Sequence, residues 1–169
     1  GYIESSSLLE CINRGGIEGR NFTGGISGAT DGVSTVNCTN FGTIHTLADA
    51  GGIVGDNRNN APITNSHNHG PINATYRVGG IAGSNGGGSP INGCINFADI
   101  TSSNDPSIGG IAGSNASWVV DCKNLGKLTG RNDDAQGENA IGGIVGYQNN
   151  IGTILRCYNG KKLSFLADG

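Results

Sequence analysis

Cysteine, histidine and the carboxylates are the side chains that could carry chemistry here, and their spacing decides what kind. The five cysteines, Cys11, Cys38, Cys94, Cys122 and Cys157, all occupy the first position of a recurring pattern, C-x-N-x-G-x-I, with Ser66 filling the one remaining copy. An odd count invites a disulfide framework or a reactive thiol. Equivalent residues of stacked repeats, however, hold their Cβ atoms ~4.8 Å apart with parallel vectors, and a disulfide wants ~3.5–4.5 Å. The expectation is a column of buried free thiols acting as small hydrophobes. Such a column does not converge on a metal ion. None of the three histidines, His45, His67 and His69, precedes Glu, so the zinc-peptidase pattern H-E-x-x-H is missing. His67 and His69 alternate along one segment and read as solvated strand residues, or at most a surface metal pair.

Acid–base work on a polysaccharide needs clustered carboxylates. Asp31, Asp49, Asp56, Asp99, Asp105 and Asp121 fall at different repeat positions, with Asp31 and Asp56 coming closest to a shared one. No stacked dyad follows, and the chain is expected not to be an enzyme and to need no cofactor. The stretch GSNGGGS at 83–89 lacks the Lys-Ser/Thr of a phosphate cradle and reads as turns.

The repeat that holds these residues covers nearly the whole chain. GGISG at 24–28, GGIVG at 51–55, GGIAG at 79–83, GGIAG at 109–113 and GGIVG at 142–146 start 27, 28, 30 and 33 residues apart. Interleaved with them, the C-x-N-x-G-x-I pattern supplies an asparagine column: Asn13, Asn40, Asn68, Asn96, Asn124 and Asn159. Three residues before each Cys position stands an aliphatic side chain, except in the second copy, which has Thr35. Apolar residues two apart give the period of a strand. A unit of two or three short strands bounded by Gly, Asn, Asp and Ser cannot bury its own apolar face, but stacking on the next unit can. The reading is all-β: a single parallel β-solenoid, expected to be a right-handed β-helix, of five to six coils of about 28 residues. Residues 1–169 form one domain, read as a piece of something larger. The Ile columns 17/44/72/100/128 and 26/53/81/111/144 should form the core. The Asn column suits a bend, where Asn tolerates a left-handed backbone and its amide can bond neighbouring backbone or the Asn of the next rung. Paired glycines admit a tight turn or a close backbone approach.

Composition agrees. Glycine supplies 32 of 169 residues, too many for a long amphipathic helix, and their spacing excludes collagen. Ten basic against thirteen acidic side chains, with no basic tract, exclude a nucleic-acid partner. Apolar runs stay far short of the ~20 residues of a membrane-spanning helix, so no membrane insertion is expected.

The GGI-x-G pentapeptides followed by I-x-x-C-x-N-x-G-x-I resemble GLUG-motif repeats over about residues 8–163. Such repeats occur in large bacterial surface and secreted proteins, including adhesin-like proteins and immunoglobulin A protease-type metallopeptidases whose zinc site lies in a separate domain. The resemblance implies a non-catalytic extracellular spacer or adhesion module of a bacterial cell surface. Its partners would be flanking domains of the parent protein and a host protein or glycan. Residues 1–7 and 164–169 are too short for end caps, so flanking domains, or self-association end to end or side by side, are also expected. The alternative is a carbohydrate-active β-helix, a polysaccharide lyase or glycoside hydrolase with an unrecognised site.

Two surface features stand out. Counted from the last Ile or Leu of one unit to the first Gly of the next GGI, the step lengthens from 7 to 9 and then 14, the longest loop being 129–141. In the longest, Asp133, Asp134 and Glu138 are candidate metal ligands. The second is the column one residue after the Asn: Arg14, then Phe41, His69, Phe97 and Leu125. It either lines an outer strip, packing on a neighbour or stacking against sugar rings, or tucks inside if the chain bends at Asn. Asn21, Asn37, Asn73 and Asn115 begin N-x-S/T triplets, of which Asn37 flanks a presumed core Cys.

Overall fold

The computed structural model describes residues 1–4, 6–103, 107–131, 140–149 and 151–165. Each turn of the chain supplies one short strand to each of five parallel sheets, four of six strands and one of five. In the third coil these are Val54–Arg58 (sheet I), Ile63–Thr64 (sheet II), His67–Asn68 (sheet III), Ile72–Ala74 (sheet IV) and Val78–Gly79 (sheet V). The chain is therefore an all-β parallel solenoid with a repeat of about 28 residues. It has five strands per unit rather than two or three, because the polar stretches between the apolar pairs also join ladders. No helix of the described residues is long and apolar enough to cross a membrane.

Register follows the sequence repeat. Ile17 pairs with Ile44, Ile44 with Ile72, Ile72 with Ile100, and Ile100 with Leu128. Ile44, Ile72, Ile100 and Leu128 are fully buried, as are Ile53, Ile81 and Ile111 of the second expected column. Each contributes ~1.5–3 kcal/mol by leaving water. Ile17 and Ile26 at one end, and Ile144 near the other, are only partly covered. The two columns do not share one core. Ile53, Ile81 and Ile111 pack with Ile63, Ile91, Val119 and the cysteines. Ile44, Ile72, Ile100 and Leu128 pack with Ala50, Val78 and Ile108.

What divides the interior is the asparagine column. Asn40, Asn68, Asn96 and Asn124 are wholly buried. Each Nδ2 donates to the Oδ1 of the next rung: Asn13 to Asn40 at 2.8 Å, Asn40 to Asn68 and Asn68 to Asn96 at 2.9 Å, Asn96 to Asn124 and Asn124 to Asn159 at 2.8 Å. The other Nδ2 hydrogen goes to the carbonyl two residues on, as in Asn68 to Gly70 at 3.0 Å, and the backbone N–H of that same residue returns to Oδ1 at 3.2 Å. All donors and acceptors of the amide are used, which is what burial demands. Across the interior the amide meets the second glycine of the pentapeptide. A Cβ on Gly52 would lie 2.4 Å from Asn68 Cγ, and on Gly80 2.4 Å from Asn96 Cγ. The paired glycine is thus a close approach rather than a left-handed turn.

The ladder asparagines are not at a left-handed bend either, since they lie in the extended strands of sheet III. Positive φ falls instead on the residue just before each Cys position: Glu10 (55°), Asn37 (54°), Asn65 (48°), Gly93 (64°), Asp121 (53°) and Arg156 (51°). There the chain turns from sheet II into sheet III. A second amide ladder runs up sheet I. Thr30 Oγ1 donates to Asn57 Oδ1 at 2.6 Å, Asn57 to Asn85 at 2.9 Å, Asn85 to Asn115 at 2.8 Å, and Asn115 to Gln148 Oε1 at 3.0 Å. Asn115, which opens an N-x-S triplet, is fully buried and closed to any glycan.

One core position breaks the pattern. Thr35 pairs with Ile63 on one side and Leu8 on the other, and its buried Oγ1 has no hydrogen-bond partner. An orphaned buried hydroxyl costs ~1–3 kcal/mol. Thr35→Val should therefore raise unfolding free energy by about 1 kcal/mol in a denaturant titration; a loss of stability would show that the hydroxyl is satisfied.

Candidate functional site

The thiols take the expected position. All five are free; Cys38, Cys94 and Cys122 are buried, while Cys11 and Cys157, near the ends, are half-covered. Ser66 continues the column, with the Cys38 backbone N–H donating to Ser66 Oγ at 3.2 Å and the Ser66 N–H to Cys94 Sγ at 3.4 Å. Burial pushes the Cys38 and Cys94 thiols up, whereas the hydrogen bond from Cys94 draws Cys122 down. Thiols held protonated are poor nucleophiles.

The column after the asparagines points outward. Phe41 and His69 stack at 4.9 Å between centroids, 15° from parallel, and His69 and Phe97 at 4.4 Å and 7°. Arg14 Cζ covers the open side of Phe41 at 4.8 Å, and Leu125 follows Phe97 on the next rung. Phe41 and Phe97 are 42% and 40% exposed. The inward alternative is excluded because the ladder asparagines take the interior, whereas Phe41, His69 and Phe97, each just past the end of its sheet III strand, are exposed. Stacking along the solenoid axis also turns ring edges, not faces, to solvent. A sugar laid on this strip finds the π faces already occupied, so the strip is poorly suited to sugar stacking. His67 adds an edge contact to His69 at 6.5 Å and to Phe97 at 6.1 Å.

Asp133, Asp134 and Glu138 lie outside the described residues, as does Asp105. Among the described residues no group of three or more His, Cys, Asp or Glu could hold a metal ion. Asp31 and Asp56 do not share a register: Asp56 aligns with Ala29 and Ser84, and Asp31 with Arg58.

A different pair of carboxylates is brought together. Sheets V and I meet on the outside of the solenoid in a groove floored by the fifth glycine of the pentapeptide. A Cβ on Gly55 would lie 2.5 Å from Thr23 N, and one on Gly83 2.9 Å from Ala50 N. That close approach brings Asp49, at the edge of sheet V, near Asp56 on sheet I. Both are buried. Arg77 holds Asp49 through Nε to Oδ1 at 3.2 Å and Nη2 to Oδ2 at 2.8 Å, and Arg58 pairs with Asp56. Burial pushes the Asp49 carboxyl up against the pull of Arg77, and the charge of Asp56 pushes the same way. Arg58 lies 5.1 Å over the Phe22 ring, and Arg77 5.8 Å over Tyr76. Above the buried Asp49, an open cavity of about 390 Å³ is lined by Phe22, Asp56, Arg58, Asn59, Arg77 and Ser84. Reading by repeat position missed this juxtaposition because the two aspartates occupy different repeat positions on either side of one pentapeptide, GGIVG 51–55, rather than one column. The available signal was the fifth glycine, which marks where two sheets touch on their outer faces.

No family model, curated protein or solved structure matches this chain.

Two measurements test these placements. In native buffer a thiol-reactive dye should label Cys11 and Cys157 readily and Cys38, Cys94 and Cys122 only after unfolding; prompt labelling of all five contradicts the buried column. The second concerns His69, whose imidazole is pushed below its ordinary value by burial and by His67. A base with a lowered folded pKa gives stability that is complete above ~6.5 and is lost as pH falls below it. The melting temperature should therefore drop modestly between about pH 7 and about pH 5, since the ring is exposed and screened. His69→Phe, which continues the stack, should flatten that slope, and an unchanged slope would assign it elsewhere.

Proposed function

We propose that this chain is a non-catalytic structural and adhesion repeat module of a bacterial cell-surface or secreted protein. It would act as a semi-rigid spacer with binding surface along its sides. The observation that carries this reading is the uninterrupted register of six rungs, locked by two internal amide ladders. At ~4.8 Å per rung the stack is roughly 24 Å from first to last strand. Each added repeat lengthens such a rod without redesigning it, which is the physical use of a solenoid. The likeness of the pentapeptide and C-x-N-x-G-x-I patterns to GLUG repeats supports an extracellular setting, with flanking domains of the parent protein as neighbours.

A second reading, a carbohydrate-active β-helix, draws on the meeting of Asp49 and Asp56. Glycoside hydrolysis needs one carboxyl protonated and one free to act as base or nucleophile. Here each is engaged by its own guanidinium, an arrangement that suits holding a ligand better than transferring a proton.

The two readings separate in one experiment. The immobilised protein is presented with extracellular-matrix proteins and a glycan array, and the same preparation is incubated with the corresponding polysaccharides while reducing ends and unsaturated products are followed. Binding without turnover is expected. Product formation that survives further purification would overturn the module reading in favour of the enzyme.

A further inference from the structure

We propose that the groove between sheets V and I is a binding site for a neutral oligosaccharide running along the solenoid axis. This rests on the binding role proposed above and assigns it a place and a ligand class.

The groove's shape comes from its glycine floor. Because sheets V and I touch backbone to backbone at Gly55 and Gly83, the residues flanking that contact line two facing walls. Phe22 and Arg77 come from one side, and Asp56, Arg58 and Ser84 from the other. The same positions continue polar on the next rung, where Ser107 follows Arg77 and Ser114 follows Ser84. An open furrow crossing rungs fits a chain-like ligand.

The chemistry narrows the class. Both guanidinium groups are partly exposed, while their carboxylate partners lie buried beneath them. Each positive charge is thus already neutralised, and an acidic ligand would gain little while meeting Asp49 and Asp56 from above. What remains on offer is the set of outward N–H donors fixed in place by the ion pairs, with the Ser84 hydroxyl and the Asn59 amide, one N–H of which is held by Asp31 at 2.8 Å. Phe22 and Tyr76 flank the set, each with a guanidinium over one face and the rest of the ring exposed. Vicinal hydroxyls and the apolar C–H faces of sugar rings match that set.

A peptide is a poorer fit. Extended peptides bind sheets by adding a strand. Along the groove the backbone groups already serve the next rung, as in Thr23 N to Asp49 O, Ala50 N to Arg77 O and Val78 N to Ser107 O. Recognition must come from side chains alone, and a polyol can use them.

The test is a two-dimensional amide NMR titration of the whole chain with cellohexaose, mannohexaose, xylohexaose and maltohexaose at millimolar concentration, and with hexagalacturonate as the acidic comparison. With at least one neutral hexasaccharide, shifts should centre on the amides of Asn59, Arg77, Gly86 and Gly87. Gly86→Leu obstructs the furrow, and a Cβ at that position meets open space, so the melting temperature should be unchanged. Affinity should fall about tenfold or more. Phe97→Ala, on the aromatic strip, should leave affinity unaltered. Shifts centred on Phe41 and Phe97 would overturn the groove assignment while leaving the adhesion reading intact. Tighter binding of hexagalacturonate, or no response to any neutral hexasaccharide, would also overturn the groove assignment. The module reading is judged separately by matrix-protein binding and by turnover.

Discussion

The buried asparagine amide facing a glycine is the constraint on which the molecule depends. Removing a primary amide from water costs several kcal/mol unless all of its hydrogen-bonding capacity is met. Here it is met only if the next rung places another amide directly above, and only if the opposite wall carries no side chain. Asn68 at 2.9 Å from Asn96 and a Cβ-free Gly52 satisfy both conditions together. A slip of one residue along any rung would strand a donor in the interior. The column therefore enforces register, while the isoleucines supply most of the gain from burial.

That division of labour accounts for features that composition alone leaves obscure. Two separate apolar clusters arise because the amide column crosses the interior between them. The high glycine content follows from backbone approaching backbone or amide at fixed places in every coil, among them Gly52 and Gly80 against the asparagines and Gly55 and Gly83 at the groove floor. The same geometry says where the chain can vary. The two longer excursions fall between Ser102 and Ile108 and between Gly130 and Ile141, from sheet IV to sheet V, and strand pairing resumes in register beyond each. Neither amide ladder nor the thiol column passes through that connection.

Much of this was legible in the sequence. Repeats of near-constant length predicted the solenoid, and the outcome for Ile44, Ile72, Ile100 and Leu128 matches the expected column. The identical position of the cysteines predicted their stacking. What escaped were interactions between different repeat positions. Asn57, Asn85 and Asn115 form a second ladder that pattern reading passed over, because its first and last members are Thr30 and Gln148 rather than asparagine. The left-handed residue before each cysteine varies among Glu, Asn, Gly, Asp and Arg, so no single letter marks it, and the bend was placed at the ladder asparagines instead. Asp49 and Asp56 looked unrelated because they are compared along the axis in a repeat alignment, whereas the fold brings them together across it.

Protection of the side-chain amides tests the central claim most directly. In a hydrogen-exchange NMR experiment the Nδ2 protons of Asn40, Asn68, Asn96 and Asn124 should exchange as slowly as the strand backbone, and each should show a cross-relaxation contact to the amide of the next asparagine in the column. Exchange of these protons at the rate of exposed asparagines, without contacts from one rung to the next, would contradict the account.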